Sequence, residues 1–167
     1  MTDPIAEAPN MGFAAENPTL TPWAEARQRL EAAKTYWLAT VRPDGRPHVM
    51  PVWGLWLDEV LLFSTSEASR KGRNLAGNGR CAVSVQGEGL DLVVEGVASI
   101  LRDEAVLGRA AELYARKYDW PIAARDGGFY DEKGNGGPVY AVRPAVVFGF
   151  GEASAFSATR WVFSKTA

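Results

Sequence analysis

The stretch Y-W-L-A-T-V-R-P-D-G-R-P-H-V-M-P-V-W-G-L-W-L-D-E-V-L-L-F-S-T, residues 36–65, decides the fold class. Residues 36–42 are dense in aromatic and β-branched side chains and predict a strand. Pro43-Asp44-Gly45 ends it with a turn, because proline presets φ and glycine tolerates a positive φ. A second strand is expected over 47–57. Pro47 and Pro51 lack the amide hydrogen a ladder requires, so this strand has an edge side, a bulge, or both. Asp58-Glu59 then turns the chain into a third strand over 60–65.

Toward the N-terminus, Thr21 reads as a helix N-cap and Pro22 as the first helical residue of a segment running to Lys34. Residues 1–20 carry Pro4, Pro9 and Pro18 without an apolar period. They predict a flexible arm, able to drape over a partner subunit. Toward the C-terminus, 66–80 reads as a short helix closed by glycines, and 81–86 and 90–101 as strands. Asp103 caps a predicted helix to Tyr118, with Val106, Ala110, Leu113 and Tyr114 on one face. Pro121 to Pro138 holds Gly127, Gly128, Gly134, Gly136 and Gly137 and reads as a loop, a mobile lid. Strands are expected at 139–143, 145–151 and 159–163. Meandering strands with three helices predict a mainly β protein: an antiparallel β-barrel with a few helices, one domain over 21–167.

With 167 residues the chain suits one domain, and its net charge of −2 supplies no field that would gather nucleic acid or an anionic membrane. Neither partner is expected. Cys81 is the one cysteine, which rules out an intrachain disulfide and favours a reducing compartment. The first residues lack the basic start and apolar run of a secretory signal, and no apolar stretch approaches the roughly 20 residues that span a bilayer. A cytoplasmic protein is the expectation. Six tryptophans are many for this length; they fill cores, interfaces, or the walls of a site for a ring-shaped ligand.

Ser69-Arg70-Lys71-Gly72-Arg73-Asn74 places three cations within four residues at the start of the short helix, behind Ser66 and Ser69. A helix start carries unpaired N–H groups and the positive end of the dipole, so cations there are unfavourable by up to about 1 kcal/mol. An anion at that position removes the conflict, because amides, hydroxyls and cations converge on it. The segment is a candidate phosphate site; a solvated basic patch is the other reading. With one His and one Cys, the sequence offers no metal cluster and no nucleophilic triad. That pattern suits an enzyme whose cofactor carries the chemistry.

F-S-T-S-E-A-S-R-K-G-R-N-L (63–75), preceded by L-A-T-V-R-P-D-G-R-P-H-V-M-P-V-W (38–53), resembles the pyridoxamine 5′-phosphate oxidase-like superfamily, with S-R-K-x-x-N-L its most specific part. The resemblance covers about residues 21–165. It implies a six-stranded split barrel of FMN-binding type and a homodimer with the cofactor at the subunit interface. It also implies a flavin/deazaflavin-dependent oxidoreductase acting on a small-molecule substrate. By position it assigns the cofactor phosphate to Ser69, Arg70 and Lys71, with Arg73 and Asn74 close by and Ser64 and Thr65 lining the pocket. Met50, Pro51, Val52 and Trp53 match the strand whose backbone faces the cofactor ring. Arg160 and Trp161 match a C-terminal strand that approaches the cofactor. Pyridoxamine phosphate oxidases carry an arginine where this chain has Met50, and a C-terminal arginine–histidine motif, whereas the only histidine here is His48. The pattern lies nearer the coenzyme F420-dependent branch, with FMN as the other cofactor. A flavin-storing or flavin-sensing protein without turnover uses the same pocket, as does a related FMN enzyme. Trp56, Trp120 and Tyr130 are further candidates for the walls of a substrate pocket.

Overall fold

Barrel closure depends on a bend in one strand. The computed structural model describes residues 3–10, 12, 19–151 and 157–164. In it the predicted second strand divides at Trp53-Gly54 into β3 (Pro47–Val52) and β4 (Leu55–Leu57). β3 pairs antiparallel with β2 (Tyr36–Val41), while β4 pairs with β5 (Val60–Ser64). The remaining long strands are β6 (Arg80–Val85), β7 (Leu90–Ile100) and β10 (Gly136–Gly151). Pairing runs β3-β2-β6-β7-β10, and β10 also pairs with β5 through Val139–Val142. The bent strand thus joins both ends of the sheet, and the protein is the mainly β, antiparallel split barrel that the sequence predicts.

Local signals behave as their chemistry requires. Gly45 turns the first hairpin at φ 83°, with the Arg42 amide donating to the Arg46 carbonyl at 2.9 Å. β3 ends the pairing order, so Pro47 and Pro51 cost little there. α3 (Glu104–Tyr118) starts at Asp103, whose carboxylate accepts from the amides of Ala105 and Val106. β5 and β10 are apolar on both faces because both are covered. Leu61, Phe63, Tyr140 and Val142 point into the barrel with Trp161, whereas Leu62, Val139 and Ala141 pack beneath α3.

Several expectations are corrected. α1 (Trp23–Ala32) begins one residue later than predicted: Pro22 takes the cap position, and the Thr21 amide instead donates to Thr159 Oγ1 at 2.8 Å. The face of α3 is rotated, with Leu107, Ala110, Ala111 and Tyr114 buried and Val106 and Leu113 at its margin. Strands 139–143 and 145–151 are one strand, β10, with a register shift between Pro144 and Val146. The glycine-rich segment is not all loop. β8 (Ala123–Arg125) and β9 (Gly128–Tyr130) form a hairpin that pairs onto the start of β10. Within the arm, β1 (Ile5–Glu7) adds to β11 (Ser157–Val162) as an edge strand. Residues 1, 2, 11 and 13–18 of the predicted arm, and 152–156 and 165–167 of the predicted domain, lie outside the described residues.

Candidate functional site

α2 (Arg70–Gly77) follows β5 through a tight turn, and its start is built by hydroxyls. The Ser69 amide donates to the Ser66 carbonyl at 3.0 Å. Ser69 Oγ caps the helix by accepting from the Gly72 amide at 3.0 Å and lies 3.2 Å from Thr65 Oγ1. Gly72 fits because a Cβ there would stand 2.4 Å from the Ser66 carbonyl oxygen. The glycine between Lys71 and Arg73 is what lets the helix sit down on its own lead-in. No acidic residue stands in the first turn.

The hairpin of β2 and β3 brings further positive charge to this helix. Alternation puts Thr40 and His48 opposite each other on the face turned toward α2, where Asn74 Nδ2 donates to Thr40 Oγ1 at 2.9 Å. Desolvation, and after it the nearby charges of Arg42, Lys71 and Arg70, hold the His48 imidazole below its ordinary range. Among the described residues Arg42, Arg70, Lys71 and Arg73 make no ion pair. Three polar atoms here are buried without a partner: Arg42 Nε, His48 Nδ1 and Asn74 Oδ1. A cleft of about 380 Å³ between this hairpin and α2 is lined by Arg42, Arg73 and Asn74. Cations outside any ion pair and unpaired buried polar atoms fit an anionic group of a ligand.

The other site residues divide by position. Arg70 is exposed and Lys71 half-buried at the helix start, while the Arg73 side chain folds back onto the Ala68 carbonyl. Asn74 is 2% exposed: its amide nitrogen braces β2 from inside, and the side chain borders the cleft beside Arg42 and Arg73. Ser64 Oγ is committed to the Gly137 carbonyl at 2.8 Å, and Thr65 is buried beside Ser69. On β3, Met50 and Pro51 are exposed, whereas Val52 points into the core. Trp53 is 49% exposed and stacks on Tyr118 with centroids 4.7 Å apart. Trp56 is buried in the barrel core, and Trp120 sits edge-on to Trp53.

β11 separates the pair expected to act together. Arg160 is paired with Phe148 on the outer face, and Trp161 with Val147 on the inner face. Arg160 forms an ion pair with Glu7 and lines an outer cleft of about 660 Å³ with Val93, Phe148 and Phe150. Trp161 is fully buried and packs on Trp23, so its indole lies in the core. Arg42 was not singled out from the sequence. Counting alternate residues forward from Leu38 and Thr40, one step past the end of β2, places it on the face that meets α2.

A second group holds the bend at Trp53-Gly54. Lys117 Nζ donates to the carbonyls of Gly54 (3.0 Å) and Glu31 (3.1 Å) and to the Tyr36 hydroxyl (3.1 Å). The Tyr118 hydroxyl accepts from the Gly54 amide at 2.8 Å. Burial without a counter-ion lowers the Lys117 pKa from 10.5 to about 8. Between those values the unfolded chain binds the proton and the folded chain does not, so this group makes stability rise with pH. Burial raises the Cys81 thiol from 9.0 to about 11 and also raises Tyr36, Tyr114 and Tyr118, which works in the opposite direction at higher pH. The expected result is that wild type gains stability relative to Lys117→Met between pH 7.5 and 9. Urea unfolding of both proteins measures it, and a difference that stays flat with pH contradicts the account.

The model of the family described as pyridoxamine 5′-phosphate oxidase matches residues 22–139. Among solved structures, an F420 reductase is similar at 30% identity, with a TM-score of 0.56, over 72% of this chain and 94% of that one. A FAD-binding protein from Mesorhizobium loti is similar at 20% identity and TM-score 0.58, over 86% and 96% of the two chains. General Stress Protein 26 from Bacillus anthracis is similar at 20% identity and TM-score 0.59, over 77% and 94%. These last two likenesses bear on the fold alone. No curated protein sequence matches the chain.

Proposed function

The chain belongs to the pyridoxamine 5′-phosphate oxidase family, and from that membership we propose a homodimeric oxidoreductase that binds a phosphate-bearing flavin-type cofactor. Coenzyme F420 is favoured over FMN, and the reaction is hydride transfer to a small organic substrate. The observation that carries this reading is the group of cations around the start of α2, none of which forms an ion pair among the described residues. Similarity to an F420 reductase at 30% identity and the uncharged Met50 on β3 favour the deazaflavin.

The residues divide the work as follows. Arg70 and Lys71 neutralise the phosphate, with the α2 amides and the Ser69 hydroxyl beside them. The bound cofactor supplies the hydride; the protein orients it and keeps water away. β3 is an edge strand, and its outer backbone groups are free to hydrogen-bond the polar rim of a flat ring. Its neighbour surface is strongly apolar. Trp37, Val41, Val49 and Val97 all lie outward on β2, β3 and β7 at 39–53% exposure, an extent of apolar surface that suits a subunit interface. A dimer built on this face covers the outer cleft of Phe148 and Arg160 and brings a partner's residues toward the cofactor.

The test has two parts. Absorbance and fluorescence titrations with FMN and coenzyme F420 are expected to show binding of at least one, with the deazaflavin tighter. Oxidation of the reduced cofactor by a panel of quinone, enone and biliverdin-like acceptors is then expected to give turnover. Binding without turnover on every acceptor supports a storage or sensing protein instead. A clean monomer in analytical ultracentrifugation refutes the interface.

A further inference from the structure

His48 is the chain's only histidine and the only ionisable residue on β3. Its ring lies on the face of the hairpin turned toward α2, opposite Thr40, and is partly exposed. Nδ1 is buried and has no hydrogen-bond partner. The charged groups that act on it are Arg42 from the hairpin and Arg70 and Lys71 from α2, and no carboxylate is among them. The loss of water and then the three cations all disfavour the imidazolium. An anion placed among these cations reverses that field. The ring then has a reason to take a proton, and as a cation it is a donor at both nitrogens.

We infer that His48 is a proton-taking ligand of the bound phosphate: a phosphate seated among Arg42, Arg70 and Lys71 draws one proton from solvent onto the imidazole, which then donates to that phosphate. This rests on the proposed role of the α2 cluster as the cofactor's phosphate site. Phosphate and proton assist each other by the same factor, since binding linkage is reciprocal. Cofactor affinity is therefore tuned by pH through a strand residue that lies outside the S-R-K motif.

A single histidine makes the test direct, because the Cε1 proton resonance of its imidazole has one source. The midpoint of its NMR titration is measured in the free protein, with saturating FMN, with saturating riboflavin as the phosphate-free control, and with inorganic phosphate. The expected midpoint of the free protein is below the ordinary value near 6.5. It moves up by about one unit with FMN or phosphate and not with riboflavin, and a unit corresponds to about tenfold in linked affinity. In parallel, wild type is expected to bind FMN about three- to sixfold more tightly relative to His48→Gln at pH 6 than at pH 8, because the tenfold limit is reached only well below both midpoints. The second ionisation of the phosphate, near pH 6, affects both proteins alike and cancels in that ratio. FMN that binds better than riboflavin while the midpoint stays fixed sinks the role of His48 and leaves the cofactor site standing. FMN and riboflavin binding equally, or none of FMN, coenzyme F420 and phosphate binding at all, removes the phosphate site and this inference with it.

Discussion

Lys71→Ala is expected to weaken binding of FMN or coenzyme F420 by about 2–3 kcal/mol, roughly 30- to 150-fold, while the barrel stays as stable as before. The two halves of that statement have separate causes. In the free chain Lys71 is half-buried and is in no ion pair among the described residues, so its removal orphans no acid. It also lies in the first turn of α2, where a cation opposes the helix dipole by a few tenths to about 1 kcal/mol. Urea unfolding should therefore show an unchanged or slightly more stable variant. With the ligand present, the ammonium makes a charge-assisted bond to phosphate beside two guanidinium groups and the amides of α2. That bond is the part that is lost. Riboflavin, which has no phosphate, is expected to bind wild type and variant equally. An unchanged FMN dissociation constant would rule out Lys71 as a phosphate ligand.

What the sequence made legible was whatever rests on neighbours in the chain. The Pro43-Asp44-Gly45 turn, the Asp103 cap and the strand character of 60–65 are set by residues a few positions apart, and all three occur as predicted. The family resemblance carries the same local weight, since S-R-K-x-x-N-L forms a helix start whose hydroxyl cap and Gly72 are satisfied within the motif. Features that depend on distant partners were hidden. β8 and β9 have three residues each and owe their pairing to β10, so a string of glycines gave no strand signal. The bend at Gly54 needs Lys117 and Tyr118 to hydrogen-bond its backbone, from more than sixty positions away. Asn74 reads as a ligand by its place in the motif, yet Thr40 draws its amide inward.

Register parity explains the remaining mismatch, and it leads to a second large effect. T-R-W-V-F does not say which side chain faces the core until β11 is paired, and the pairing of Trp161 with Val147 decides it. Trp161→Ala is expected to cost about 3–5 kcal/mol of stability, as truncation of a buried aromatic does. The ring is fully buried, packs edge-on against Trp23 at 5.6 Å, and fills space that Gly149 leaves open. A Cβ at Gly149 would come within 2.6 Å of it. Such a loss is a third or more of the stability of a typical domain. The neighbouring Arg160→Ala should change stability by less than about 1 kcal/mol, because the ion pair with Glu7 is largely solvated. If Trp161→Ala does not fold, Trp161→Phe supplies the comparison. The indole Nε1 has no partner, so phenylalanine removes an unsatisfied N–H while keeping most of the ring volume. Urea denaturation and cofactor titration of Trp161→Phe are expected to show a modest loss of stability and an unchanged dissociation constant. A tenfold loss of cofactor affinity at native stability would mean that the indole touches the ligand after all, and its assignment to the core would fail.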